Sequence, residues 1–267
     1  MKVRWLADIL LSLSAFIKAR WPFICFPLLV ISFVYWLLSP GQREWVRDRL
    51  VPVTFFLALA VRTLWRSLGT LLNKQAKLSL IILLSINNTL ILSFMSLTIF
   101  SYILRSKPMQ RAAGIKERAF PLFVVFFHLI GSYFIATRTL FHFNLTLYIL
   151  GLILSMLGAT VDCLAIWKLK RSFSIMVEVR PLVSSGIYGI IRHPLYSGEL
   201  IHFLGIAMLF NNKEAYGMFV ILIFMQTMRA VLEEKKMIAH IPEYSSYREK
   251  TGFFLPRFRQ TKGISKK

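Results

Sequence analysis

Arg192, His193, Pro194 and Tyr196 fall within five positions of one another, in the stretch LVSSGIYGIIRHPLYSG at 182–198. A guanidinium, an imidazole and a phenol this close together can hold a polar or anionic ligand. Pro194 heads an apolar run, which suits the first turn of a helix, where a missing N–H costs nothing. His193 then falls at the cap. The N-terminus of such a helix offers free N–H groups and partial positive charge to a carboxylate. Gly186 and Gly189 bracket Tyr188, a spacing that permits a turn and a close backbone approach to a ligand. A second set, Arg229, Glu233 and Glu234, ends the next apolar run. Arg229 and Glu233 are four apart and share a helix face. Adjacent carboxylates near a helix C-terminus oppose the macrodipole by ~0.3–1 kcal/mol each. Lys235 and Lys236 relieve part of this, and a ligand cation would relieve more. Each piece alone has a plainer reading: a basic flank with a belt tyrosine, loop glycines that make turns, a flank salt bridge. Tyr244, Tyr247 and Arg248 follow in PEYSSYREKTGFFLP, and packing beneath the site is the first reading of that tyrosine pair.

These residues need elements to bring them together. The runs 194–210 and 215–231 predict a helical hairpin whose open end carries both sets on one membrane face. Ionisable groups at a membrane boundary without an anchoring role are candidate sites. The rest of the chain supports a membrane setting. Of its 267 residues 56% are hydrophobic, and the mean hydropathy is +0.61. Several runs approach the ~20 residues that a bilayer core requires. The net charge of +21, from 33 Lys+Arg against 12 Asp+Glu, lies mostly in loops between apolar runs. There it anchors helices and meets anionic headgroups, and no soluble basic segment is long enough to form a nucleic-acid module. Cys25 and Cys163 both lie in apolar runs, with no disulfide framework, zinc spacing or other metal set.

Residues 5–17 read as an interfacial amphipathic helix, retained as no cleavage site follows. Residues 21–38 are the first plausible span. Residues 51–65 are apolar but short, with Pro52 and Arg62 inside them, so a crossing there is open. Residues 78–104 form one long helix or a helix broken at Asn87-Asn88, and that pair must face other helices. Residues 119–136 and 145–167 are clear spans. Gly151 and Gly158 in the second allow close packing, and Asp162 lies near an interface or turns inward. Lys and Arg number five in 105–118, one in 137–144, five in 168–193 and ten from Arg229 onward. That bias places the C-terminal tail inside and 137–144 outside. It leaves the N-terminal half undecided.

The ordered set LVSSGIY, RHPLYSG, hairpin, Arg229, Glu233-Glu234 and EYSSYREKTGFFLP resembles the isoprenylcysteine carboxyl methyltransferases and the related phospholipid methyltransferases. The resemblance covers about residues 170–258 in motif detail. It implies an integral-membrane enzyme that uses S-adenosylmethionine. By the same resemblance the cofactor contacts are Glu178, Arg180, Pro181, Leu182, Val183, Tyr188, His193, Pro194, Leu195, Tyr196 and Glu233. Arg229 falls on the substrate-orienting arginine, as catalytic and substrate-binding residue. Where eukaryotic prenylcysteine enzymes carry Asn-Phe-Asn-His, this chain has Ser172-Phe173-Ser174-Ile175, and its link to Leu182 is shorter.

The expected fold is all-α: a multi-span transmembrane bundle whose C-terminal hairpin frames a cofactor site on the cytoplasmic face. An N-terminal membrane extension over 1–115, a methyltransferase-like core over 116–258 and a basic tail over 259–267 make up the chain. The expected function is methylation of a lipidic or prenylated acceptor, first of all on a carboxylate, which needs no base. The partners are membrane lipids or a lipidated acceptor, and no nucleic acid. An NADPH-dependent membrane reductase of the sterol reductase type, whose C-terminal part has a similar RHP arrangement, is the alternative enzyme. A non-enzymatic membrane protein with a decayed site is the other alternative.

Overall fold

A computed structural model describes residues 40–72, 78–138 and 144–257. The expected interfacial helix at 5–17, the span at 21–38, most of the loop at 137–144 and the tail at 259–267 lie outside these residues. The chain divides into two compact units, Met1–Val51 and Pro52–Lys267. In the first, helix α1 (Pro40–Trp45) runs into a wider turn over Val46–Leu50, where Val51 N–H bonds the Val46 carbonyl. Pro52 accounts for the widening. It has no N–H to give, and its ring crowds the carbonyl four residues back, so the ladder loosens just ahead of it.

The second unit is built from α2 (Val51–Leu71), α3 (Leu78–Ile103), α4 (Gly114–Arg138) and α5 (Leu145–Leu169), then α6 (Pro194–Phe210), α7 (Lys213–His240) and α8 (Tyr244–Lys250). The fold is all-α, and no strand occurs among the described residues. Helical runs at Asp48–Gly69, Ile81–Ile103, Leu145–Ser172 and Lys213–His240 are long and apolar enough to cross a membrane. The run at 51–65 is thus part of a full-length candidate span, because the helix continues through Pro52 and Arg62. The clear span read at 119–136 lies within α4. The asparagines do not break α3. Asn87 is buried, and its side-chain oxygen accepts from Ser155 Oγ of α5 at 2.7 Å, so its polar cost is met by a neighbouring helix.

α5 and α6 approach more closely than any side chain larger than hydrogen would allow at four positions. A Cβ on Gly151 would stand 2.7 Å from the Gly205 carbonyl, and one on Gly205 would stand 2.5 Å from the Gly151 carbonyl. Cβ atoms on Gly158 and Gly198 would collide with the His202 backbone and with the Asp162 carboxyl. Membrane helices associate through such small-residue contacts.

The hairpin turns on two asparagines. Asn211 closes α6 in the left-handed conformation (φ 47, ψ 51), and Asn212 opens α7 by accepting from Ala215 N–H at 2.8 Å. Asparagine suits both places because it tolerates positive φ and caps orphan amides. α6 has 17 residues. At roughly 1.5 Å per residue it falls short of the ~30 Å hydrocarbon core.

Pro121 has a consequence for the site. It sits inside α4, and without an N–H it leaves the Glu117 carbonyl free. Val177 N–H bonds that carbonyl at 3.0 Å. The segment 173–180 is thereby laid along α4 in extended form, and Val179 pairs with Gln110 beside it. From α7, Arg229 Nη2 donates to the Ile175 carbonyl at 2.8 Å and Lys236 Nζ to the Val177 carbonyl at 3.2 Å.

Candidate active site

The extended segment, the turn at Gly186–Gly189, the start of α6, the end of α7 and α8 enclose a cleft. Its lining includes Glu178, Arg180, Pro181, Leu182, Val183, Tyr188, His193, Leu195, Tyr196 and Glu233. Ten of the eleven residues assigned to the cofactor by resemblance thus meet in one place. The eleventh, Pro194, does not line it. Pro194 is buried at the first position of α6, where it sets the helix start, as the sequence implied. Tyr244 and Tyr247 are buried in a cluster with Val179 and Ile241 and also line the cleft. Tyr247 also donates to the Tyr188 carbonyl at 2.7 Å.

The RHP stretch is held from the C-terminal side. Arg192 N–H bonds the Gly252 carbonyl at 2.8 Å, and Gly252 N–H bonds the Ile190 carbonyl at 3.0 Å. Glu234 Oε1 accepts from Arg192 Nε at 2.6 Å and lies 3.1 Å from His193 Nε2. Phe253 meets the His193 ring edge-on at 5.0 Å. Glu234 is therefore the structural member of the carboxylate pair, and Glu233 is the one that faces the cleft. The two residues are adjacent on α7 and point to different partners.

Glu178 accepts from Arg105 and from Arg180, the latter at 2.8 Å. Burial alone would raise its carboxyl, but the two guanidiniums outweigh it and hold the group below the ordinary range. Glu178 is thus a fixed anion already shared by two cations. Burial, followed by the Glu233 charge, pushes the Tyr188 phenol well up. Tyr247 is pushed up to about 12, again chiefly by burial. Both stay neutral hydrogen-bonding phenols at any physiological pH.

Tyr196 is the boundary of the cleft. Its ring stacks on His193, 5.4 Å between centroids and 5° between planes. The Arg229 guanidinium lies over the same ring at 4.6 Å. The Tyr196 hydroxyl donates to Glu233 Oε1, and Arg229 Nε stands 3.6 Å from that oxygen. Arg229 does not line the cleft. It lines a second, apolar cavity of about 230 Å³ between α2, α3, α4, α5, α6 and α7. Phe173 and Leu195 line both spaces, so one wall separates them.

Asp162, Glu199, His202 and Gln226 also line this second cavity. Sequence reading placed Asp162 at an interface or turned inward and passed over the other three. The signal was present: Glu199 lies inside an apolar run, one turn after Tyr196, and an ionisable residue there marks a site. Gln226, Arg229 and Glu233 fall at i, i+3 and i+7 on α7 and so project from one face.

The phospholipid methyltransferase family model matches residues 146–243, from the first turn of α5 to the turn before α8. This segment is similar to that family. The methyltransferase match covers the two closely packed glycine-bearing helices and the whole hairpin. It therefore holds most of both cavities. The chain is a multi-pass membrane protein by its candidate spans and by this match. No curated protein matches the chain.

Proposed function

We propose that this chain is a membrane methyltransferase that uses S-adenosylmethionine and methylates a lipidic or prenylated acceptor on a carboxylate. The observation that carries the reading is the paired cavities. A polar cleft at the mouth of the hairpin and an apolar cavity in the bundle share the Phe173–Leu195 wall, and Tyr196, Arg229 and Glu233 stand beside it. The cleft's donor set fits the cofactor. Glu233 suits a cationic group, the rings of Tyr188, Tyr244 and Tyr247 suit a flat base, and the first turn of α6 suits a carboxylate.

When bound, the cofactor supplies a methyl group on a positively charged sulfur, which an acceptor oxygen takes as the carbon–sulfur electron pair returns to sulfur. The protein's own part is placement. Methyl transfer to a good nucleophile depends on in-line approach at close range, and fixed geometry can contribute several kcal/mol, of order 7–11 at the limit. Arg229 is suited to fix the acceptor. It is 2% exposed, anchored on the Ile175 carbonyl and the Tyr196 ring, and its Nε stands 3.6 Å from Glu233 Oε1 without a hydrogen bond. A carboxylate meeting that N–H gains a charge-assisted bond. A carboxylate brings no proton to remove, so no base is required. The basic bias of the C-terminal half supports a cytoplasmic position for the cleft.

The test is turnover with methyl-labelled cofactor, using purified protein in lipid nanodiscs. Label should enter a lipid fraction and leave it as volatile methanol on treatment with alkali, as a methyl ester does. Label stable to alkali would move the reaction off carboxylate. Binding of NADPH in place of S-adenosylmethionine, measured by calorimetry, would replace the methyltransferase with a reductase.

A further inference from the structure

The strap that follows α8 has a hollow of its own. A Cβ on Gly252 would run into the Leu255 carbonyl, so the chain turns sharply over 252–255. That turn is tied to the start of α6: His193 N–H bonds the Phe253 carbonyl at 3.3 Å, and Ser197 Oγ donates to the Phe254 carbonyl at 2.8 Å. Beside it lies an open hollow of about 520 Å³ lined by three guanidiniums, those of Arg192, Arg248 and Arg257. The chain supplies them with little counter-charge. Arg192 and Arg248 share one carboxylate, Glu234, whose Oε1 takes Arg192 Nε at 2.6 Å and whose Oε2 stands 3.5 Å from Arg248 Nε. Arg192 Nη1 donates to the Arg248 and Thr251 carbonyls, and no hydrogen bond among the described residues uses its Nη2. Arg257 Nη1 donates to the Glu249 carbonyl, and among the described residues Arg257 has no carboxylate partner. The one carboxylate in the lining, that of Glu249, pairs with none of the three. Residues 250–267 contain no Asp or Glu, so the missing anion does not come from further along this sequence.

Apolar side chains stand in the open beside these cations. Leu255, on the sharp turn, is 76% exposed, and Ile190, whose carbonyl takes the Gly252 N–H, is 55% exposed. The hollow also shares Arg192 with the cleft at the mouth of the hairpin, which sets it at the membrane boundary. Exposed apolar residues next to basic ones are how a chain seats itself among lipid headgroups. A guanidinium fork matches two phosphate oxygens at once. We infer that Arg248 and Arg257, backed by Arg192, bind the phosphate of an anionic lipid headgroup, with Ile190 and Leu255 against its chains. A membrane lipid then supplies the counter-charge that the strap lacks. This lipid is not the methyl acceptor. His193, Tyr196 and Glu233 belong to the cleft and the wall beside it and do not line the hollow, so the headgroup bound there stays apart from the transfer.

The test is native mass spectrometry of the full chain in detergent micelles, titrated with short-chain phosphatidic acid, with phosphatidylcholine of the same chains and with inorganic phosphate. Phosphatidic acid should bind at least about tenfold more tightly than phosphatidylcholine, since charge-assisted pairs to phosphate are strong. Arg248→Gln with Arg257→Gln should bring the two lipids within about threefold of each other. Arg257→Lys alone, which keeps the charge and loses the fork, is the milder variant and should also lower the preference. Lys107→Gln with Lys116→Gln removes as much charge from exposed positions on another segment, and should leave the preference within about twofold of the parent. Leu255→Ser should weaken both lipids and leave inorganic phosphate unchanged. No preference in the parent overturns the site. So does an equal loss in the arginine and lysine pairs, which would reduce it to the general attraction of a basic chain. Inorganic phosphate bound as tightly as phosphatidic acid would make the occupant a free anion and overturn the lipid. Methyl label appearing in phosphatidic acid during turnover would make that lipid an acceptor, and overturn the separation from the cleft.

Discussion

The cleft and the apolar cavity treat their polar groups in opposite ways. In the cleft, charges are satisfied by one another: Glu178 by Arg105 and Arg180, Glu234 by Arg192 and His193. In the cavity, Gln226 Oε1 and Asp162 Oδ1 have no hydrogen-bond partner, and Arg229 Nε is held only by the looser ion pair to Glu233. A buried pair fixes shape, because breaking it leaves a stranded charge. A buried group left open adds nothing to shape and waits for something else. The cleft is therefore held in shape by its own charges, whereas the cavity keeps two buried oxygens without a hydrogen bond.

The pairing in the cleft is the easiest part to break. Glu178→Gln strands two buried guanidiniums and should cost about 3–5 kcal/mol of stability, read as unfolding in mixed detergent micelles. The acid limb of the parent carries the same information. The folded-state pKa of Glu178 lies below the ~4.3 of the unfolded chain. Its contribution is therefore complete above that value and is lost as pH falls through the depressed one. Stability should hold from pH 7 to about 5 on this account and decline below about 4. The Gln variant should show a shallower decline, and identical acid limbs would mean that the pair is not what secures the extended segment.

On the cavity side, Arg229→Lys keeps the charge and loses the planar fork. Misplacing the acceptor by about an ångström can cost ~100-fold in rate. Methyl transfer should fall by about that factor, with cofactor affinity within a few-fold of the parent. If both fell together, Arg229 would belong with the cleft, and the division between the two spaces would dissolve.

Gly198→Ala probes the helix contact that carries the cavity floor. The new methyl would meet the Asp162 carboxyl, and overpacking of this kind costs about 1–3 kcal/mol. Adding Asp162→Ala should recover much of the loss, because neighbouring substitutions of this sort are not additive. No recovery would place the strain in the α5–α6 backbone instead of the carboxyl.

The same contrast explains what the sequence made legible. The cleft was readable because most of its lining comes from one polar stretch, 178–196, plus Glu233 a hairpin away. The spans at 78–104 and 145–167 followed from apolar run lengths, and the start of α6 from Pro194. The cavity was not readable as a place. Its polar lining is single residues from α5, α6 and α7, each surrounded in sequence by apolar neighbours. Only helix packing, set by Gly151, Gly158, Gly198 and Gly205, brings Asp162 to Glu199 and Gln226. Arg105 was likewise invisible as the partner of Glu178, since 73 residues separate them and nothing local joins a loop arginine to one carboxylate. The bond from Val177 to Glu117 depended on Pro121 vacating a carbonyl, a signal present in the sequence whose recipient was not.

The smallest expected effect falls on the shared edge of the two spaces. His193 caps α6, stacks on Tyr196 and reaches Glu234 at 3.1 Å. It is 7% exposed, so its ring is part of the cleft wall. His193→Ala removes the stack that steadies Tyr196 and one hydrogen bond to a charged partner, worth ~1.5–3 kcal/mol where the partner is ionised. Part of that loss is absorbed by Arg192, which still holds Glu234. Cofactor affinity should therefore fall by about tenfold, near the lower end of that range, as measured by calorimetry. Binding of a long-chain carboxylic acid, the acceptor class proposed above, should stay within about twofold, because Arg229 keeps its anchor on the Ile175 carbonyl. Glu233→Gln makes the converse comparison. It keeps the Tyr196 hydrogen bond but removes a charge that both spaces feel, so cofactor and acid affinities should both move. If His193→Ala altered acid binding as strongly as cofactor binding, Tyr196 would be coupling the two cavities, and the wall between them would act as a moving part.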